Sequence, residues 1–239
     1  MPLTKPNTST PCACGWRRFA SESRRLSCLQ GISVISMAMS RPLVSLLKSR
    51  LAPNPPEPAA ASDLVAAAVL APLFFNEGEA HLLFTRRTLT LKDHRGQISF
   101  PGGVRGPEDP DLPATALRET REEIGLDPGV VELLGAMEPV ATLTGYRITP
   151  FLGLIPHPYE FRINPREVER LLLLPLEGFF DPARWSSRPY RYQGRSTRVC
   201  DWRGDGELIW GATARILLNL LALLDQHPIP GDRHATCLD

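Results

Sequence analysis

Residues 100–126 read FPGGVRGPEDPDLPATALRETREEIGL, and the rest of the chain is interpreted outward from them. The pattern predicts a helix over residues 113–124. Asp111 can cap its start, and Pro113 suits a first turn, where a missing N–H costs nothing. Gly125 supplies a stop that tolerates the left-handed conformation, and the turn Asp127-Pro128-Gly129 follows. At helical spacing Glu119, Glu122 and Glu123 fall within an arc of about 100°, with Leu117 and Ile124 roughly opposite. Three carboxylates therefore share one face and apolar residues occupy the other.

Like charges three and four residues apart weaken a helix by a few tenths of a kcal/mol each. Arg118, four residues before Glu122, offsets part of this. A Glu-rich helix taken alone is usually a solvated acidic face. A hard divalent cation is the competing explanation, because Mg²⁺ needs several oxygen ligands and carboxylates one turn apart can share it. The leading Phe100-Pro101-Gly102-Gly103 favours the second reading. Paired glycines let a backbone turn sharply or approach a ligand closely.

Gly103 followed by Arg118-Glu119-x-x-Glu122-Glu123-x-Gly125-Leu126 resembles the signature of the Nudix hydrolases. In that signature a glycine loop leads into an acidic helix, but the usual glycine-to-arginine spacing is one residue shorter than here. The acidic residue within that gap would be Asp109. The longer spacing resembles the coenzyme A pyrophosphatase subgroup, which carries a second signature just upstream. Here that signature reads Leu83-Phe84-Thr85-Arg86-Arg87-Thr88, then Lys92-Asp93-His94-Arg95-Gly96-Gln97-Ile98-Ser99, running into Phe100. Thr88 stands for Ser and Lys92 for Arg. Tyr146 to Pro150 and Ile209 to Ala214 resemble later landmarks, so the resemblance covers roughly residues 64–224.

The resemblance implies an α/β fold, an α/β/α sandwich with a mixed β-sheet. It also implies Mg²⁺- or Mn²⁺-dependent attack of water on a phosphoanhydride. Coenzyme A would yield 3′,5′-ADP and 4′-phosphopantetheine. Glu119, Glu122 and Glu123 are the expected metal ligands, and Glu122 doubles as a candidate base. Arg118 is expected to orient a carboxylate through charge-assisted hydrogen bonds. Glu167, in Pro165-Arg166-Glu167-Val168, matches the place where related proteins often carry another functional glutamate, with Glu160 and Glu169 as competitors. Arg86, Arg87, Lys92, His94 and Arg95 form the basic stretch nearest the glycine loop. Arg86, Arg87 and His94, with Gly102 and Gly103, are the expected substrate-binding set. The basic groups suit a 3′-phosphate, although arginines are more often surface residues, and the alternative role for His94 is to cap or brace its loop. Two alternatives stand beside this reading: a Nudix hydrolase of another nucleoside diphosphate derivative such as NADH or ADP-ribose, and a Nudix-fold nucleotide sensor without catalysis.

The chain of 239 residues is long enough to bury a sizeable core, with a net charge of +1. Residues 1–50 hold eight Lys/Arg against the single acidic Glu22. Their net +7 leaves −6 for the remainder, which argues against a nucleic-acid-binding surface there. The partner expected is a small molecule, with neither nucleic acid nor membrane, and the sequence leaves the oligomeric state open. Residues 1–50 are expected to be a basic leader or extension without fixed structure, apart from a short helix over 41–51. If residues 1–40 are a transit peptide the location would be mitochondrial; otherwise it is cytoplasmic. Residues 51–62 are a proline-rich linker, 63–226 the Nudix domain and 227–239 a tail. The five cysteines show no disulfide framework and are expected to be incidental thiols in a reducing compartment. No apolar run is long enough to span a bilayer.

Strands are expected over residues 64–75 and 80–87, around a turn at Asn76-Glu77-Gly78-Glu79, and at 97–100, 130–137, 147–155 and 166–174. A hairpin around Gln193-Gly194 and an apolar helix over 210–224 complete the prediction. The loop 141–146, with Thr142, Thr144 and Gly145, can face a ligand.

Overall fold

The computed structural model describes residues 32–53, 63–90 and 94–224. The leader up to residue 31, the proline-rich residues 54–62, Lys92 and the tail from 227 lie outside the described residues. The centre of the fold is a mixed sheet. Its main path runs β3 (Ile98–Ser99), β2 (Glu79–Arg87), β1 (Val65–Asn76), β7 (Tyr146–Leu154) and β5 (Glu132–Ala136). Strand β4 (Gly102–Val104) joins β1, β6 (Val140–Ala141) joins β7, and β8 (Val168–Pro175) joins β2. The β1–β7 pair is parallel and the other pairs are antiparallel. Strand β1 is buried on both faces through its middle, which is why its sequence is a continuous apolar run rather than an alternating one.

Strands β1 and β2 start as a hairpin at Asn76 and Glu79, then part. Into the gap comes the segment from β3 to β4: Ile98 and Ser99 pair with β2, while Gly102 to Val104 pair with β1. Between them the Leu70 N–H donates to the Pro101 carbonyl at 2.9 Å. Pro72 sits where β1 changes partner from β4 to β2. Two residues beyond Leu70, its nitrogen faces the same side, into the fork, where no donor is required. This explains a proline in a central strand.

Helices cover both faces. Helix α2 (Leu112–Ile124) packs Leu112, Ala116 and Ile124 against Leu70, Leu83 and Phe151. The opposite face holds the larger core, containing Leu73, Phe84, Phe100, Phe179, Trp202 and Ile209. It is covered by α1 (Ile32–Arg50), α3 (Gly211–Leu224) and a small antiparallel sheet of β9 (Trp185–Tyr192), β10 (Arg195–Gly204) and β11 (Glu207–Trp210). This is the expected α/β/α arrangement with a mixed sheet.

Three expectations need correction. The stretch before residue 51 was expected to lack fixed structure beyond a short helix, yet the helix runs over Ile32–Arg50. Leu47 and Leu51 are buried in the larger core, and Ala52 forms a β-bridge to Ala136. The folded domain therefore begins upstream of residue 63. Cys200, expected as an incidental thiol, is disulfide-bonded. The helix expected from 210 starts at Gly211, because Trp210 closes β11 against Asp201.

Truncating Leu47 tests the corrected boundary. Leu47→Ala is expected to remove roughly 2–5 kcal/mol of stability, read as a lower urea midpoint with an unchanged slope. An unaltered midpoint would show that α1 contributes nothing to the core.

Candidate active site

Helix α2 is terminated as its sequence predicts. The Asp111 side chain accepts from the Ala114 N–H at 2.8 Å, and Gly125, at φ 70°, donates its N–H to the Arg121 carbonyl. Its last carbonyls are met by a later segment: the N–H groups of Arg162 and Asn164 donate to Ile124 and Glu123 at 2.9 and 2.8 Å. The Tyr159 hydroxyl bridges the same end, donating to the Gly125 carbonyl and accepting from the Asp127 N–H.

Arg118 is the hub of the polar network. Its Nε and Nη2 donate to the two oxygens of Asp109 at 2.8 and 2.9 Å, a fork-to-fork pair. Nη2 also reaches Glu119 at 2.9 Å, and Nη1 reaches Glu122 at 3.2 Å. Asp109 is buried and accepts further bonds from the Gly106 N–H and the Thr115 hydroxyl. The Arg118 hydrogen bonds hold its carboxyl far below the usual carboxylate range. Burial opposes this, and the Gly106 and Thr115 bonds reinforce it. Reciprocally, Asp109 raises the Arg118 pKa. Asp109 thus closes the turn at Gly106 as well as holding Arg118.

The three glutamates are not equivalent. The side chain of Glu122 is 56% exposed, that of Glu119 18% and that of Glu123 4%. A Cβ at Gly103 would lie 2.5 Å from the Glu119 carboxyl carbon, so the glycine makes room for that carboxylate. A Cβ at Gly102, whose φ is 151°, would collide with the Ala68 carbonyl at 2.3 Å. The side-chain space vacated by the glycine pair is therefore occupied by the protein itself. Burial pushes the Glu123 carboxyl up to about 8. The Arg87 cation opposes this, Glu167 and Glu119 add to it, and the Gly102 amide lowers it slightly. Burial likewise raises Glu119, against Arg118. Glu123 Oε2 is buried without a hydrogen-bond partner.

These features fit a divalent cation. Such an ion would satisfy the orphaned oxygen and reverse the penalty that keeps Glu123 protonated near neutrality. Among the described residues no three acidic, His or Cys side chains already form a metal-binding cluster; Arg118 engages Glu119 and Glu122.

Glu167 lies by the pair, close enough to raise both Glu119 and Glu123, whereas Glu160 and Glu169 are exposed. Arg87 faces Glu123, with Nη1 3.9 Å from Oε1. Arg86 points elsewhere, because successive strand residues face opposite sides and a β-bulge separates the two. Arg86 and Arg170 share Glu207 of β11, a buried carboxylate. Of this arginine pair, Arg87 faces the carboxylates of α2 and Arg86 is turned to the small sheet. His94 is exposed at φ 58°, with Nδ1 2.9 Å from Gln97 Oε1, a brace for its own loop. Asn164 was not singled out from the sequence, and Thr88 was given no role beyond its place in the upstream signature. Thr88 Oγ1 donates to the Arg166 carbonyl and its N–H to that of Glu167, while Asn164 Nδ2 donates to Glu167 Oε1 at 3.1 Å. Asn-Pro opening a turn was the one signal available for Asn164.

A family profile described as the NUDIX domain matches residues 64–188. An uncharacterized Nudix hydrolase, NudL, of Photorhabdus laumondii is 38% identical over 167 residues, covering 70% of this chain and 89% of its own. The NudL of Yersinia pestis (strain Pestoides F), also named uncharacterized, is 39% identical over 154 residues, 64% of this chain and 77% of its own. Among solved structures, the Nudix hydrolase RenU of M. smegmatis aligns over 70% of this chain and 90% of its own, with a TM-score of 0.49 at 17% identity.

The chain belongs to the Nudix family. It is accordingly a hydrolase, of the class that cleaves the pyrophosphate of nucleoside diphosphate derivatives.

Asp109→Asn tests the Arg118 clamp. A carboxyl held low in the fold contributes stability that is fully present above its unfolded pKa of about 4 and lost as the pH falls through its lower folded value. At pH 7 the variant is expected to lose about 1–3 kcal/mol. The gap to wild type should narrow on acidification below about pH 4. Parallel pH–stability curves for the two proteins would refute the assignment.

Proposed function

We propose that this Nudix hydrolase cleaves the pyrophosphate bond of coenzyme A, giving 3′,5′-ADP and 4′-phosphopantetheine. The observation that carries this reading is Arg87. It lies in the stretch that resembles the coenzyme A subgroup, faces Glu123, and keeps its Nε buried without a partner. A cation placed beside a carboxylate cluster, with a donor still unpaired, suits a substrate richer in phosphate than most nucleoside diphosphates. Arg86 is tied to Glu207 and serves the reading less directly.

Glu119, Glu122 and Glu123 would hold Mg²⁺ or Mn²⁺, which when bound neutralises the pyrophosphate and acidifies its water. Arg118 aims Glu119 and Glu122 from one side, and Asp109 keeps Arg118 from swinging away. Gly103 leaves the space in which the Glu119 carboxylate sits. Glu167 accepts the proton of the attacking water, with Oε1 already fixed by Asn164 and Oε2 as the acceptor. Glu122, the most exposed of the triad, ranks below it as base.

Glu123→Gln is expected to lower kcat by ~10²–10³. It should also change the metal-free protein. A carboxyl ionising near 4.5 when unfolded and near 8 when folded makes stability fall as pH rises through that window, since the unfolded state there binds fewer protons. The Gln variant should lack that decline and be the more stable form at pH 8. Near-normal turnover by the folded variant at saturating Mg²⁺ would refute the metal-site assignment.

The substrate is tested by offering coenzyme A, NADH, ADP-ribose and dNTPs at equal concentration, then repeating with Arg87→Ala. Coenzyme A is expected to be preferred. Arg87→Ala should reduce its kcat/KM by roughly 10–150-fold, the loss of a charge-assisted hydrogen bond, and affect the 3′-dephospho form far less. An equal loss on both would assign Arg87 to the shared pyrophosphate or to the fold. Preference for another member of the panel would overturn the coenzyme A reading.

A further inference from the structure

The segment between Tyr159 and Val168 does two jobs. It satisfies the carbonyls at the end of α2, and it delivers Glu167 to the carboxylates on that helix. Both jobs meet at Asn164. Its backbone N–H donates to the Glu123 carbonyl at 2.8 Å. Its Oδ1 accepts from the Arg166 N–H at 3.1 Å, and its carbonyl accepts from the N–H groups of Glu167 and Val168 at 3.1 and 2.9 Å. Its Nδ2 donates to Glu167 Oε1 at 3.1 Å. From the other side Thr88, one residue after Arg87, holds the carbonyls of Arg166 and Glu167.

We propose that Asn164 is a positioning residue for the reaction: it ties the Glu167 carboxylate to the Glu123 end of α2, so that the base and the buried carboxylate keep a fixed relation. The inference rests on Glu167 being the base. A carboxylate on a loop has two or three freely rotating bonds, and a proton acceptor must stay within hydrogen-bond reach of its donor. Of the hydrogen bonds Asn164 makes, those of its backbone and Oδ1 shape the turn. The Nδ2 bond shapes no backbone and acts only on Glu167. The three groups are therefore separable by substitution.

Asn164→Asp retains Oδ1 for the Arg166 N–H and all the backbone bonds, but replaces the donor to Glu167 with an anionic oxygen. Thermal midpoint, kcat and KM are measured for this variant, for Glu167→Gln and for the double variant, on whichever of coenzyme A, NADH and ADP-ribose wild type hydrolyses fastest. Asn164→Asp is expected to keep the wild-type midpoint and a KM within about twofold, and to lower kcat by roughly 10–100-fold. Glu167→Gln alone should lose ~10²–10⁴, and the double variant should lose no more than that. Wild-type kcat for Asn164→Asp overturns the proposal. So does an equal factor lost in both backgrounds, which would mean that Asn164 acts through the helix end and not through Glu167. Near-normal turnover by Glu167→Gln instead removes the base assignment itself, and this proposal with it. If Asn164→Asp lowers the midpoint, Asn164→Ser is put through the same cycle with the same outcomes. Its shorter side chain retains an acceptor for Arg166 but has no group that reaches Glu167.

Discussion

A carboxylate buried with one oxygen unbonded is the constraint around which this structure is arranged. Glu123 is 3% exposed, and no hydrogen bond reaches Oε2. Desolvation of a charge is the largest single penalty in a folded protein, and a group in this position stays protonated unless a cation is supplied. Arg87 provides part of that cation at 3.9 Å, too far for a full hydrogen bond. A fold that spends stability this way on one helix face has to secure the helix from every other direction.

It does so in three places. Leu112, Ala116 and Ile124 anchor the opposite face of α2 in the smaller core. Asp109, through Arg118, fixes the exposed flank and keeps Glu119 and Glu122 from repelling one another outward. The segment from Tyr159 to Asn164 closes the C-terminal end, which would otherwise present unsatisfied carbonyls next to negative charge. Each device is mainly polar or packing in character, and together they hold Glu119, Glu122 and Glu123 on the face of α2 turned away from the core.

The forked sheet is the backbone counterpart. Because β1 and β2 part after a short hairpin, the β3–β4 segment lies between them, and Gly102 and Gly103 come to rest beneath α2. The position of Gly103 is set by strand pairing, and the Glu119 carboxylate occupies the space its side chain would fill. The same fork brings Arg87, at the end of β2, to the acidic helix. It also leaves Arg86 on the opposite face, tied to the small sheet through Glu207. Loop and helix are thus joined by hydrogen-bonded strands, which hold a site more rigidly than a free loop would.

The local features of α2 could be read from the chain itself: the Asp111 cap, the Gly125 stop, and the common face of Glu119, Glu122 and Glu123. All depend on neighbours within four residues, where periodicity and capping chemistry act. The two strands around Asn76-Glu77-Gly78-Glu79 and the hairpin at Gln193-Gly194 were legible for the same reason. Their turn residues adopt the positive φ that such turns require. What tertiary structure decided was which of those residues meet. Arg86 and Arg87 look equivalent in sequence, and only the strand pairing and the bulge between them send one to Glu207 and the other to Glu123. Asn164 and Glu123 are distant in sequence and joined by a backbone hydrogen bond that no local pattern announces. The segment before residue 51 looked like a leader because it is basic, with eight Lys/Arg against the single acidic Glu22. Leu43, Val44, Leu47 and Leu51 nevertheless recur at the spacing of one helix face, and all four pack on the larger core.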